Sequence, residues 1–291
     1  MSASAKSSER YHARSISLPS RPHPLIPQFD EQLSRLRSTE ATSTLSSSIR
    51  CKFNGLKDLY NCLDELLQLH LHQRTLRQDC EAKGADDLLD GSLRLLDACG
   101  TARDLMTQTK EHVQEIQSVL RRRCCGESAI ASEVVKYVNT RKVAKKTIKK
   151  CMHDLNIMLH KHSSQTQKNV RNSSISALLR DVEAATAEIF ESLLSYMAGP
   201  KMKSKKSSWF MVSRPMCQSA ASASEFEEAD AALDSFKTQK KKTGINTEQV
   251  DQLRSRMMKL ESTIQDLDEP LEFLFRHIVK ARASLLNILS N

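Results

Sequence analysis

From Val250 to Ile288 the apolar positions advance in an unbroken alternation of three and four residues. They are Val250, Leu253, Met257, Leu260, Ile264, Leu267, Leu271, Leu274, Ile278, Ala281, Leu285 and Ile288. Such a seam belongs to a helix that needs another helix against it. The same period recurs upstream. Phe29, Leu33 and Leu36 predict a short amphipathic helix, and Ile49, Phe53, Leu56, Leu59, Leu63, Leu66 and Leu67 a stronger one. Asp86–Arg123 reads as one long helix with its stripe on Leu89, Leu93, Leu96, Cys99, Ala102, Met106, Thr109, Val113, Ile116 and Leu120. Further helices are predicted from Ser132 to about His162 and from Ile175 to Met197, the latter stopped at Gly199-Pro200. A last helical region starts near Glu225, pauses at Lys240–Gly244, and restarts with the ladder, where Thr247 is placed as N-cap.

The breakers sharpen this picture. The chain has 7 Gly and 7 Pro in 291 residues, and four of the prolines lie between Pro19 and Pro27, so the remainder favours long helices. Pro22, Pro24 and Pro27 should hold the backbone extended and stop any helix before Gln28. Pro270 sits inside the ladder without disturbing its register; the expectation there is a kink between two helices on one surface, with Asp268 able to cap the second. Gly91 and Gly100 each weaken the long helix by roughly 1 kcal/mol relative to Ala, which points to close helix–helix approach. The fold class is therefore all-α: an elongated bundle of about six long amphipathic helices behind a disordered N-terminal arm. Residues 1–27 form the Ser/Arg/Pro-rich arm, residues 28–291 the bundle, and residues 199–224 an internal linker rich in Lys and Ser. With aromatics at 4%, the core rests on Leu, Ile, Val and Met.

Charge adds a candidate site. The net charge is +9, and the stretch from Arg121 to His162 holds eleven Lys/Arg against Glu127, Glu133 and Asp154. Arg141, Lys145 and Lys149 form one i, i+4 row and Lys142, Lys146 and Lys150 the next; with Lys136 and Arg121-Arg122-Arg123 they place a basic face on or beside one helix. Phosphates attract such a face, on anionic lipid or on nucleic acid. No aromatics interleave with it, which disfavours sequence-specific nucleic-acid binding. The plainer alternative is a solvated face partly neutralised by acids on other helices such as Asp86, Asp87 and Glu111.

Other chemistry is sparse. There is no Gly-x-Gly-x-x-Gly, Walker-type loop, Gly-x-Ser-x-Gly or His-Glu-x-x-His, so no catalytic role, cofactor or metal is expected. His70-x-His72 and His160-x-His162 place their rings on different sides of a helix, which does not chelate. The eight cysteines lack disulfide-framework spacing and read as reduced thiols of a cytoplasmic protein; Cys124-Cys125 beside three arginines is a weak palmitoylation signal. Lys201–Lys206 resembles a nuclear localisation signal, and Trp209-Phe210-Met211-Val212 is an isolated apolar cluster that docks back onto the helices or meets a partner. Arg14, Ser17 and Pro19 lie in the frame Arg-Ser-x-Ser-x-Pro, the form of a basophilic phosphosite read by 14-3-3 proteins. A Ser/Arg-rich, acid-poor arm also has the composition of a plastid transit peptide, though the proline cluster favours a retained regulatory segment.

The run from Leu89 to Asp104, Leu-Asp-Gly-Ser-Leu-Arg-Leu-Leu-Asp-Ala-Cys-Gly-Thr-Ala-Arg-Asp, belongs with Arg14–Pro24 and the closing Ser284–Leu289. Together these runs resemble the plant-specific family known as domain of unknown function 241, related to the BYPASS-type proteins. The resemblance spans nearly the whole chain. It implies an all-helical protein associated with root and shoot development, and carries over no catalytic residue. The expected function is a non-enzymatic regulatory or adaptor protein, the alternative a peripheral membrane protein docking through the basic helix. Homo-oligomerisation through 250–288 is the remaining option for the ladder.

Overall fold

A computed structural model of the chain describes residues 23–38, 45–80, 84–122, 127–166, 174–199, 223–243 and 247–290. These residues form eight helices and no strand: α1 (Leu25–Ser38), α2 (Leu45–Gln68), α3 (His70–Cys80), α4 (Gly84–Arg121), α5 (Glu127–Thr166), α6 (Ile175–Ala198), α7 (Glu225–Thr243) and α8 (Thr247–Ser290). Six are long, as the periodicity predicts; α1 and α3 are short additions of 14 and 11 residues.

The ladder of α8 closes the core. Ten of its twelve positions are buried, with Val250 and Ala281 only partly covered. It packs along α4 most extensively, and along α2 and α7. At 44 residues and about 1.5 Å per residue, α8 is roughly 66 Å long. It runs unbroken through Pro270, so the expected division into two helices does not occur, and Asp268 lies within a helix rather than capping one. The backbone donor that proline lacks would have met the carbonyl of Asp266. Asp266 is exposed, so water can take that carbonyl and the helix continues.

α6 occupies the middle of the bundle, in contact with α1, α2, α3, α4, α5 and α7. Sixteen of its 24 residues are buried, more than one apolar stripe can supply. Its ends are sharply cut. Ser174 Oγ accepts the Ala177 amide at 3.4 Å, and Gly199 turns the chain at φ 81°, donating its N–H to Ser195 O, as a left-handed C-terminal glycine does. No helix among the described residues is long and apolar enough to cross a membrane.

Three expectations need correction. α1 begins at Leu25, ahead of Pro27; the proline lies in the first turn, where its missing N–H has no intrahelical partner to lose, so the bundle starts inside the segment assigned to the arm. α3 carries only Leu71 and Leu76 as large aliphatic side chains, too weak a period to predict, and Leu71 is itself exposed. The fully buried Leu76 anchors it in the core, and capping ties it to α2: Gln73 Nε2 donates to Leu67 O at 2.9 Å and His72 Nδ1 lies 3.1 Å from Leu66 O, meeting carbonyls that the end of α2 leaves open. In α4 the first third of the stripe is displaced. Leu93 is 45% exposed, while Leu88, Ser92 and Leu95 are buried. The Leu88-Leu89 and Leu95-Leu96 doublets offer two registers one residue apart, and packing selects the earlier.

The two α4 glycines differ as well. A Cβ on Gly91 would lie 2.6 Å from the Glu183 carboxylate of α6, whereas one on Gly100 would meet nothing within 4 Å. Close approach explains the first glycine only.

Candidate functional site

The basic residues of α5 divide between two environments. Arg141 lies inward, 4% exposed, and bridges three elements. Its Nε and Nη2 grip both carboxylate oxygens of Asp230 on α7 at 3.0 and 3.1 Å, and Nη2 also donates to Met197 O on α6 at 2.7 Å. Met197 belongs to the last turn of α6, whose carbonyls lack helical partners and carry the negative end of the helix dipole; a guanidinium there satisfies both. The same cation lies over the Phe226 ring, 5.2 Å from its centroid.

Asp230 is the hub. It also accepts from Lys145 Nζ at 2.9 Å and from the Tyr137 hydroxyl at 3.1 Å. Burial works against its charge, but the Arg141 and Lys145 cations and their hydrogen bonds outweigh burial and hold the carboxyl below the usual carboxylate range. Tyr137 moves the opposite way: burial, then the adjacent Asp230 charge, pushes its hydroxyl up.

A second polar junction secures the first turn of α7. Tyr196 on α6 donates to Glu225 Oε2, Ser46 on α2 to Glu225 Oε1 at 3.5 Å, and Lys259 on α8 approaches Oε1 at 3.9 Å. Glu228 pairs with Arg256 at 2.5 Å and Lys259 at 3.1 Å. Ser224 Oγ accepts the Glu227 amide at 3.2 Å, the N-cap position of the helix. Acids at the positive end of α7 suit its dipole. α7 is thus tied to α2, α5, α6 and α8 by charge as well as by Phe226, Ala229, Leu233 and Phe236.

The outward row is different. Lys142, Lys146, Lys149 and Lys150 are exposed and form no ion pair among the described residues. Lys136 is exposed but pairs with Glu133 at 2.8 Å. Of the acids expected to neutralise the face, Asp87 bonds Lys161 at 2.6 Å, while Asp86 and Glu111 form no ion pair among the described residues. Arg141, and in part Lys145, therefore leave the basic face that the i, i+4 rows suggested. Between the free lysines stands Val143, 62% exposed, with Val135 and Ile157 also open on the same helix.

Asp230, Glu225, Tyr137 and Tyr196 are the residues that sequence reading passed over. Asp230 sits in an acidic, alanine-rich stretch that looks solvated; its one signal is its place beside the Phe226/Leu233 stripe, four residues after one and three before the other.

Other candidates resolve simply. His72 caps α2 and stands edge-on to His23, with ring centroids 6.3 Å apart. No group of three His, Cys, Asp or Glu able to hold a metal occurs among the described residues. Cys62 and Cys99 are buried free thiols that donate to the carbonyls of Leu25 and Leu271, and burial pushes the Cys99 thiol up to about 12. Arg14, Ser17, Pro19, Cys124-Cys125, Lys201–Lys206 and Trp209–Val212 lie outside the described residues.

A cavity of about 40 Å³ lies between α4, α5 and α6 beside Gly91, room for a few waters. An open groove of about 750 Å³ follows α7 and α8, with Ala231, Ala232, Phe236 and Leu253 in its lining.

No curated protein and no solved structure matches the chain. The model of a family described as Protein BPS1 matches residues 52–288, from α2 to the end of α8. With that match covering most of its length, the chain belongs to this plant family, the one its Leu89–Asp104 run resembles.

Proposed function

We propose that this protein is a non-enzymatic regulatory adaptor acting in plant root and shoot development. Its helical bundle is the platform, and the Ser17 arm is the regulated segment. Family membership supports the developmental role. The observation that carries the adaptor reading is the division of the α5 cations: buried polar groups join helices to one another, while the surplus charge faces outward. Arg141, Asp230, Tyr137 and Glu225 serve helix–helix junctions, which leaves the exposed lysines of α5 outside the packing and supports a binding role for them.

Ser17 phosphorylation would add roughly −1.5 to −2 charges three residues after Arg14, giving the acceptor form that 14-3-3 grooves read. Affinity purification of the tagged protein from plant cells, beside a Ser17→Ala control, tests the reading. Partners including 14-3-3 proteins that disappear with Ser17→Ala would support it. An identical partner set would remove the arm from the mechanism, and a purified protein that turns over a substrate would overturn the non-enzymatic reading.

A further inference from the structure

We propose that the outward face of α5 docks the protein on anionic lipid surfaces. The face is built from Lys142, Lys146, Lys149 and Lys150 around the exposed Val143, with Val135 and Ile157 extending the same side of the helix. Steps of three and four residues keep these positions on one side from Val135 to Ile157, about 33 Å of helix. The four lysines carry no counter-charge among the described residues, so their field reaches solvent. Arg141 is removed from the face by Asp230, and Lys145 is partly drawn inward.

Charge alone suits lipid phosphates and nucleic acid equally; the valines separate them. An interfacial helix seats apolar side chains at the headgroup boundary while flanking lysines hold their ammonium groups at the phosphates. Val143, between two of the lysines, has that placement. A nucleic-acid face would instead present several aromatic or arginine side chains for stacking and base contacts, and between Lys142 and Ile157 the exposed face of α5 has no Arg, Phe, Tyr or Trp, with the imidazole of His153 its one ring. The rest of the helix is fixed by α4, α6 and α7, so the face is preformed and needs no folding on contact.

This inference is independent of the arm and of Ser17, and purified full-length protein tests it. Cosedimentation is measured with phosphatidylcholine vesicles, with and without phosphatidylserine, across a salt series. Binding should require phosphatidylserine and fall with salt. Lys142→Gln/Lys146→Gln/Lys149→Gln/Lys150→Gln should weaken it roughly tenfold or more, given the contribution of each surface lysine near an anionic leaflet, with an unchanged circular dichroism spectrum. Val143→Asp should weaken it while leaving every lysine in place. Equal binding of parent and four-lysine variant would overturn the proposal, as would failure of the parent to bind. Tighter, lysine-dependent binding to a DNA or RNA duplex at the same salt would reassign the face to nucleic acid and overturn it too.

Discussion

Arg141 and Lys142 are adjacent in the chain and chemically alike, yet Arg141 is 4% exposed while Lys142 stands in solvent. The helical turn of about 100° between neighbours separates them. What fixes their roles is across the gap: Asp230 and the last turn of α6 face one, and nothing described faces the other. A basic row on a helix is thus two different objects, a structural latch where an acid and a helix end meet it and a binding surface where they do not.

The sharpest way to break this comparison is to remove the acid. Asp230→Ala leaves Arg141 buried without its carboxylate, a loss of about 3–5 kcal/mol in unfolding free energy by urea denaturation. Arg141→Met with Asp230→Leu should recover much of that loss, because an apolar pair of similar volume avoids the uncompensated charge. A double variant as unstable as Asp230→Ala would mean that the ion pair is not the source of the effect.

Glu183 sharpens it from the other side, as a buried carboxyl lying against Gly91. Burial, partly offset by Arg180 and reinforced by Asp90 and Asp87, raises it to about 8. Between the ordinary carboxylate range and pH 8 the native state keeps a proton that the unfolded chain has released, so this group lowers stability as pH rises through that window. The slope approaches about 1.4 kcal/mol per pH unit within the window and vanishes above it. Asp230 has the opposite sign: its depressed value makes the latch strongest above the carboxylate range and weaker as pH falls through its folded value. Glu183→Gln should flatten the decline between pH 5 and 8 and leave the acid limb intact, as read from urea midpoints across pH.

Smaller still are the two α4 glycines. Gly100→Ala should stabilise by roughly 1 kcal/mol through helix propensity, since its Cβ meets nothing. Gly91→Ala should gain less than Gly100→Ala from the same propensity, because the buried Glu183 carboxylate must shift to make room for its Cβ. A thermal midpoint that rises as much for Gly91→Ala as for Gly100→Ala would contradict the packing described.

Much of this fold is legible in the sequence, because long helices with three-and-four spacing announce themselves. The α8 ladder lands on buried positions almost throughout, and Gly199-Pro200 marks the end of α6. Two kinds of feature stay hidden. Where apolar doublets allow two registers, as at Leu88-Leu89, only the neighbouring helix chooses. Where a short helix rests on one buried leucine and polar caps, as α3 does on Leu76, His72 and Gln73, periodicity carries no signal. The site follows the same rule. Sequence shows the lysines of α5, but the fate of each depends on Asp230, nearly ninety residues away and tied to α5 only by tertiary packing. Pro270 and Pro27 mislead for a related reason: a proline is tolerated in a helix when the carbonyl it leaves reaches water or when it sits in the first turn.

The most direct test of the central claim compares urea unfolding of Arg141→Gln with that of the Lys142→Gln/Lys146→Gln/Lys149→Gln/Lys150→Gln variant. The account predicts a large fall in midpoint for the single inward substitution and almost none for the four outward ones, each worth within about 0.5 kcal/mol. Equal shifts, or a larger one from the lysines, would contradict the division of α5 into latch and surface.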